Sequence, residues 1–139
     1  MPINHHINHA SKLILTSVVG DASDIEFIHA IEKYQKDIKN TPDYLNFNEI
    51  VDLSDVTNMQ ITTTGIMTIS RIAAETDREG EQTKLALIVS SSLAYGMARM
   101  YSMYRSFSPK ANKDVRVFNN KQDAYQWLNT NPHPDQTSE

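Results

Sequence analysis

The chain has no cysteine among its 139 residues. A disulfide framework and a thiolate zinc site are therefore both excluded. That suits a reducing compartment without requiring one. No basic segment followed by a long apolar run opens the chain, so no signal peptide is expected. No apolar run approaches the roughly 18 residues of a membrane span. A soluble, cytoplasmic protein is the expectation. No run of consecutive Lys or Arg is present, and the balance of 13 basic and 17 acidic residues is unlike a nucleic-acid footprint. Phosphate loop, dinucleotide fingerprint, nucleophile elbow and paired His-Glu zinc motif are all missing. Nor is there an internal repeat or a low-complexity linker.

What is present is enough for one domain with an ordinary core. A single domain is expected over residues 1–130, with a disordered tail over 131–139. The charge is uneven: −7 over residues 1–83, +6 over 84–121 and −3 in the remainder. A basic second half could draw an acidic partner, or its charges could mix with the rest on folding.

The apolar patterning gives an order of elements. Residues 3–9 and the β-rich Lys12–Val19, which ends at the turn signal Gly20, make a hairpin through Asn8–Ser11. Ser23-Asp24-Ile25-Glu26 reads as a capping box. Ile25, Ile28, Ile31 and Ile38, with Phe27 and Tyr34, extend an amphipathic helix to about Asn40. Thr41-Pro42-Asp43 breaks it. Phe47–Leu53 is the next strand. A helix over Thr63–Glu79 follows, with Ile66, Ile69, Ile72 and Ala73 on one face and Gly80 as its C′ residue. Lys84–Val89 is the apolar run of a strand buried on both faces. Ser91 or Ser92 caps a helix to about Phe107. Val115–Phe118 is the last strand, and Asn120 caps a final helix through Leu128, with Ala124, Trp127 and Leu128 inward.

The order is ββαβαβαβα: an α/β sandwich of about five strands and four helices. Its sheet is mostly parallel with right-handed crossovers, plus one antiparallel edge.

Four features could carry function. The first is the hydroxyl cluster Thr62, Thr63 and Thr64 at a helix start. One threonine serves as an N-cap, while a phosphate there would be favoured by the helix dipole. The second is Asp52 and Asp55, to which no third metal ligand is spaced; an Asx-type turn bond is the plain reading of one of them. The third is His5, His6 and His9, of which alternation puts His5 and His9 on one strand face. The fourth is the helix 93–107. Met97, Met100 and Met103 recur every three residues, with Tyr95, Tyr101 and Tyr104 around them. This is more apolar circumference than one sheet-facing stripe needs. Tyr95, Met97, Met100, Tyr101 and Tyr104 thus mark a subunit interface, a ligand groove or extra core. Gly96 inside that helix suggests that something packs close to it.

Asp52-Leu53-Ser54-Asp55-Val56-Thr57, followed by Thr63-Thr64-Gly65-Ile66, resembles the switch segment of the STAS superfamily, which includes SpoIIAA-type anti-sigma-factor antagonists. Residues 95–101, 115–118 and 124–128 resemble a SpoIIAA-like branch of bacterial proteins. The resemblance covers nearly the whole chain. It implies a STAS/SpoIIAA-like sandwich and a non-enzymatic regulatory or protein-interaction module without a cofactor. Asp55 and Thr62–Thr64 would face a kinase or anti-sigma-like partner, and the phosphoacceptor position falls on Thr64. Thr62 stands where the family carries an acidic residue. The likeness of that branch to lipid-binding folds implies the alternative: a small apolar ligand, or a lipid surface, held by helix 93–107. A homodimer through that helix fits either reading. No nucleic-acid partner is expected.

Overall fold

The computed structural model describes residues 3–77, 82–108 and 110–128. The expected tail and Gly80 lie outside them. Strands β1 (Ile3–Asn8), β2 (Leu13–Ser23), β3 (Asn48–Gln60), β4 (Thr83–Ile88) and β5 (Lys113–Phe118) form one sheet in sequence order. β1 is antiparallel to β2, and every other pair is parallel. Helices α1 (Asp24–Asn40), α2 (Thr63–Ala73) and α3 (Ser92–Ser106) connect the parallel strands, and α4 (Lys121–Leu128) follows β5.

Neighbouring parallel strands taken in sequence order, each joined by a crossover of one hand, put all three connecting helices on one face. α1 packs on α2 and α2 on α3. α4 packs on β4 and β5 from the opposite face. Strand alternation sorts the side chains accordingly. Ile14, Val18, Glu49, Val51, Thr83, Leu85, Leu87 and Lys113 look toward α1–α3. Leu13, Ile50, Ala86 and Ile88 meet Ala124 and Leu128 of α4.

The expected order holds, and its departures have local causes. Gly20 does not end β2. With φ at +83° it sits at a bulge where the register to β3 slips, and the strand runs on to Ser23. Ser23 is the N-cap of α1, but its hydroxyl donates to Glu26 Oε1 at 2.9 Å rather than accepting from a backbone amide. β3 continues past Leu53 to Gln60, paired throughout with the lengthened β2. α2 stops at Ala73, short of Glu79. The buried Gln35 of α1 reaches across, its Nε2 donating to the carbonyls of Ile72 at 2.6 Å and Ala73 at 3.0 Å. Those carbonyls are the orphan acceptors of a helix end, and a single 3-10 turn over Ala74–Thr76 follows.

Gly96 is also a correction. A Cβ placed there meets nothing within 4 Å, so no close packing demands glycine.

Candidate functional site

Between the sheet and helices α1–α3 lies a cavity of about 160 Å³. Its walls are apolar along most of their length: Val18, Phe27, Leu53, Ile69, Leu85, Leu87, Ala98 and Met97. Its polar groups gather at one end, where the parallel strands begin and α1–α3 finish. Glu49 opens β3, Lys113 opens β5, Thr83 opens β4, and Arg105 closes α3.

These groups form two ion pairs. Lys113 Nζ lies 2.6 Å from Glu49 Oε2, and the Tyr34 hydroxyl donates to Glu49 Oε1 at 2.5 Å. Burial opposes the Glu49 charge, but Lys113, the Tyr34 hydroxyl and more distant Arg105 outweigh it. The carboxyl stays below the usual carboxylate range. Burial next to that carboxylate pushes the Tyr34 phenol up, so it remains a donor. In the second pair, Arg105 Nη2 is 2.6 Å from Asp77 Oδ1, with the two side chains 5% and 3% exposed. Arg105 Nη1 donates to the Tyr101 hydroxyl at 3.1 Å. Thr76 donates to Gln35 Oε1 at 3.2 Å and completes the polar rim. At the β1 side, His5 Nδ1 is 2.7 Å from Thr16 Oγ1 and the ring stacks on Tyr34. Burial lowers the His5 pKa, which favours the neutral ring.

A cavity of this size holds a benzene-sized group. It is too small for a two-chain lipid. Its form, apolar with a few convergent polar groups at one end, is that of a small-molecule pocket.

The residues singled out from the sequence fall in three places. Met97 and Tyr101 wall the cavity. Met100 and Tyr104 pack with them against Ile66 and Ile69 of α2. Tyr95 is on the outer surface, its hydroxyl accepting from Arg99 at 3.2 Å. The threonines are at the opposite edge of the sheet. Thr62 caps α2, its Oγ1 accepting from the Gly65 amide at 3.0 Å and donating to Asp24 Oδ2 at 2.5 Å. The Thr62 amide donates to Asp24 Oδ1 at 2.8 Å. The acidic group expected from position 62 is therefore supplied by α1. Gly65 makes room for it, because a Cβ there would run into the Asp24 carboxylate. Thr63 and Thr64 are exposed beside this clasp.

Asp55 is exposed on β3 itself, not in a loop. The strand residues up to Gln60 carry the chain roughly 16 Å from it, so Asp55 and the threonines do not converge. Asp52 is buried. It accepts from Ser54 N at 2.9 Å, the expected Asx-type bond, and lies 3.6 Å from Lys121 Nζ. The histidines separate: His9, beyond the end of β1, packs against Tyr44 and Phe47. Among the described residues, no three His, Cys, Asp or Glu side chains group as metal ligands, and no helix is long and apolar enough to cross a membrane. The charge asymmetry resolves into cross-pairs: Arg105 with Asp77, Lys113 with Glu49 and Lys121 with Asp52.

Sequence reasoning missed the polar end of the cavity. One signal was available. Alternation places Glu49 on the same strand face as Val51 and Leu53, which marks it as an inward carboxylate needing a partner.

No protein-family model matches the chain, and no curated protein matches it at a significant level. Among solved structures, it is similar to an uncharacterised protein of the DUF3478 family with a SpoIIAA-like fold, from Shewanella loihica PV-4. The two share 13% identity, with a TM-score of 0.55, over 91% of this chain and 92% of that one. At that identity the likeness concerns the fold.

Proposed function

Starting from a SpoIIAA-like fold, we propose that the protein is a non-enzymatic binding module that takes a small, largely apolar molecule into the cavity beneath α1–α3. The observation that carries this reading is the cavity itself: about 160 Å³ between otherwise packed layers, with charged groups gathered at one end. Interiors of this kind are normally packed to crystal density. A void walled by Leu85, Leu87 and Ala98 forgoes dispersion contacts that a ligand would restore. Native mass spectrometry of the protein purified gently from its own cells tests the reading. A small molecule released on denaturation supports it. Ligand-free protein that also fails to take up toluene removes it.

A second reading is favoured by the β3–α2 junction. Thr63 and Thr64 are exposed at the N-terminus of α2, open to a kinase. Asp24 already occupies the positive end of that helix. A phosphate on Thr64 would repel it and loosen the α1–α2 clasp. The module would then signal to an anti-sigma-like partner through this edge. A Thr64→Glu protein should lose such a partner in a pull-down; unchanged capture contradicts the switch. A homodimer through α3 would cover its exposed Leu93, Tyr95, Met103 and Phe107. A monomer by light scattering at high concentration would remove that arrangement.

A further inference from the structure

The polar end of the cavity is paired in charge but incomplete in hydrogen bonds. Arg105 meets Asp77 through one prong only, Nη2 to Oδ1. Among the described residues, Arg105 Nε and Asp77 Oδ2 have no partner although both are buried, and neither has Thr83 Oγ1. Arg105 and Thr83 are each 5% exposed, and all three residues line the cavity. Buried polar atoms of this kind are costly to leave unmatched. One is a donor, one an acceptor, and the threonine hydroxyl is both.

Charge narrows the match. Lys113 and Arg105 balance Glu49 and Asp77. His5 and Thr16 satisfy each other at the other side, and Tyr34, Tyr44 and Tyr101 complete the titratable groups of the lining. A carboxylate or ammonium ligand would add an uncompensated charge to a balanced, desolvated site. A neutral group that offers an acceptor and a donor side by side adds none.

Resting on the cavity reading above, we propose that the molecule bound there is neutral and carries a carboxamide-type head on a ring-sized apolar body. Its carbonyl accepts from Arg105 Nε, its N–H donates to Asp77 Oδ2, and the Thr83 hydroxyl completes the set. The apolar body lies along Leu85, Leu87 and Ala98.

Four compounds with one ring and different heads test this: benzamide, benzoate, benzylamine and toluene, titrated by NMR into the full-length protein. Benzamide is expected to bind about tenfold or more tightly than the other three, the worth of one or two hydrogen bonds. Toluene binding as tightly as benzamide would overturn the head assignment while leaving the cavity reading in place. Benzoate or benzylamine binding tightest would also overturn it. Failure of all four would overturn the cavity reading itself. Thr83→Val, which keeps shape and removes the hydroxyl, should weaken benzamide several-fold and leave toluene unchanged. An equal loss for both compounds contradicts a hydrogen-bonding role for Thr83.

Discussion

The two faces of the sheet bury their side chains in different ways. Under α4, Leu13, Ile50, Ala86 and Ile88 meet Ala124 and Leu128 in an apolar layer. Trp127 seals its margin: it lies 5.5 Å from the Phe118 ring, with Lys84 Nζ and the Arg116 guanidinium at 5.3 and 5.0 Å from its own. Under α1–α3 the layer holds one buried and one largely buried ion pair and leaves a cavity. Glu49 and Ile50 are neighbours in sequence and belong to opposite worlds. A single short helix can pack closely on two strands. Three helices on one face must also fit one another, and on this face a cavity remains.

The largest expected effect comes from breaking the charged face. Glu49→Ala leaves the largely buried Lys113 without its partner and should cost about 3 kcal/mol in chemical denaturation, the low end for breaking a buried pair. The pair also sets an acid limb. The Glu49 pKa is held below its ordinary value, so its stabilisation is present above about pH 4.3 and is lost as pH falls through the depressed value. Denaturant midpoints from about pH 6 to about pH 3 should therefore fall more steeply for the parent than for Glu49→Gln.

Next, one substitution on each face sharpens the contrast. Ala124→Leu under α4 has no room and should cost about 1–3 kcal/mol. Ala98→Leu points into the cavity and should melt at or above the parent temperature while abolishing toluene uptake. Equal destabilisation by both would mean that the cavity is not usable space.

At the rim of the same face, Gly65→Ala forces Asp24 off the α2 N-terminus and should cost about 1–2 kcal/mol. Asp24→Asn in that background should then add little, and additive losses would contradict the clasp. The smallest effect has the opposite sign. Gly96→Ala should raise stability by about 1 kcal/mol, because the added methyl meets nothing and the helix gains propensity.

Most of the fold was legible in the sequence because it rests on local signals. Ser91 and Asn120 cap α3 and α4 through the Ala94 and Asp123 amides, at the positions their side-chain chemistry indicates. The breaks at Thr41–Pro42 and the apolar runs of β4 and β5 are equally local. What escaped depends on long-range contact. The end of α2 is set by Gln35, 37 residues earlier than Ile72. The length of β3 is set by its pairing with β2. The site was harder still. The hydroxyl and carboxylate motifs stand at or near a strand-to-helix junction, where open α/β sheets usually bind ligands. The polar end of this cavity lies at the other edge, assembled from lone charges on β3, β5, α3 and the turn after α2. No spacing in the sequence links Asp77 to Arg105.

The most direct test of the account is a methyl NMR titration of the parent protein with toluene. A usable cavity beneath α1–α3 predicts saturable shifts at Leu85, Leu87 and Ile69, and none at Ile50, Ile88 and Leu128 under α4. No saturable shift, or equal shifts on both faces, would contradict it.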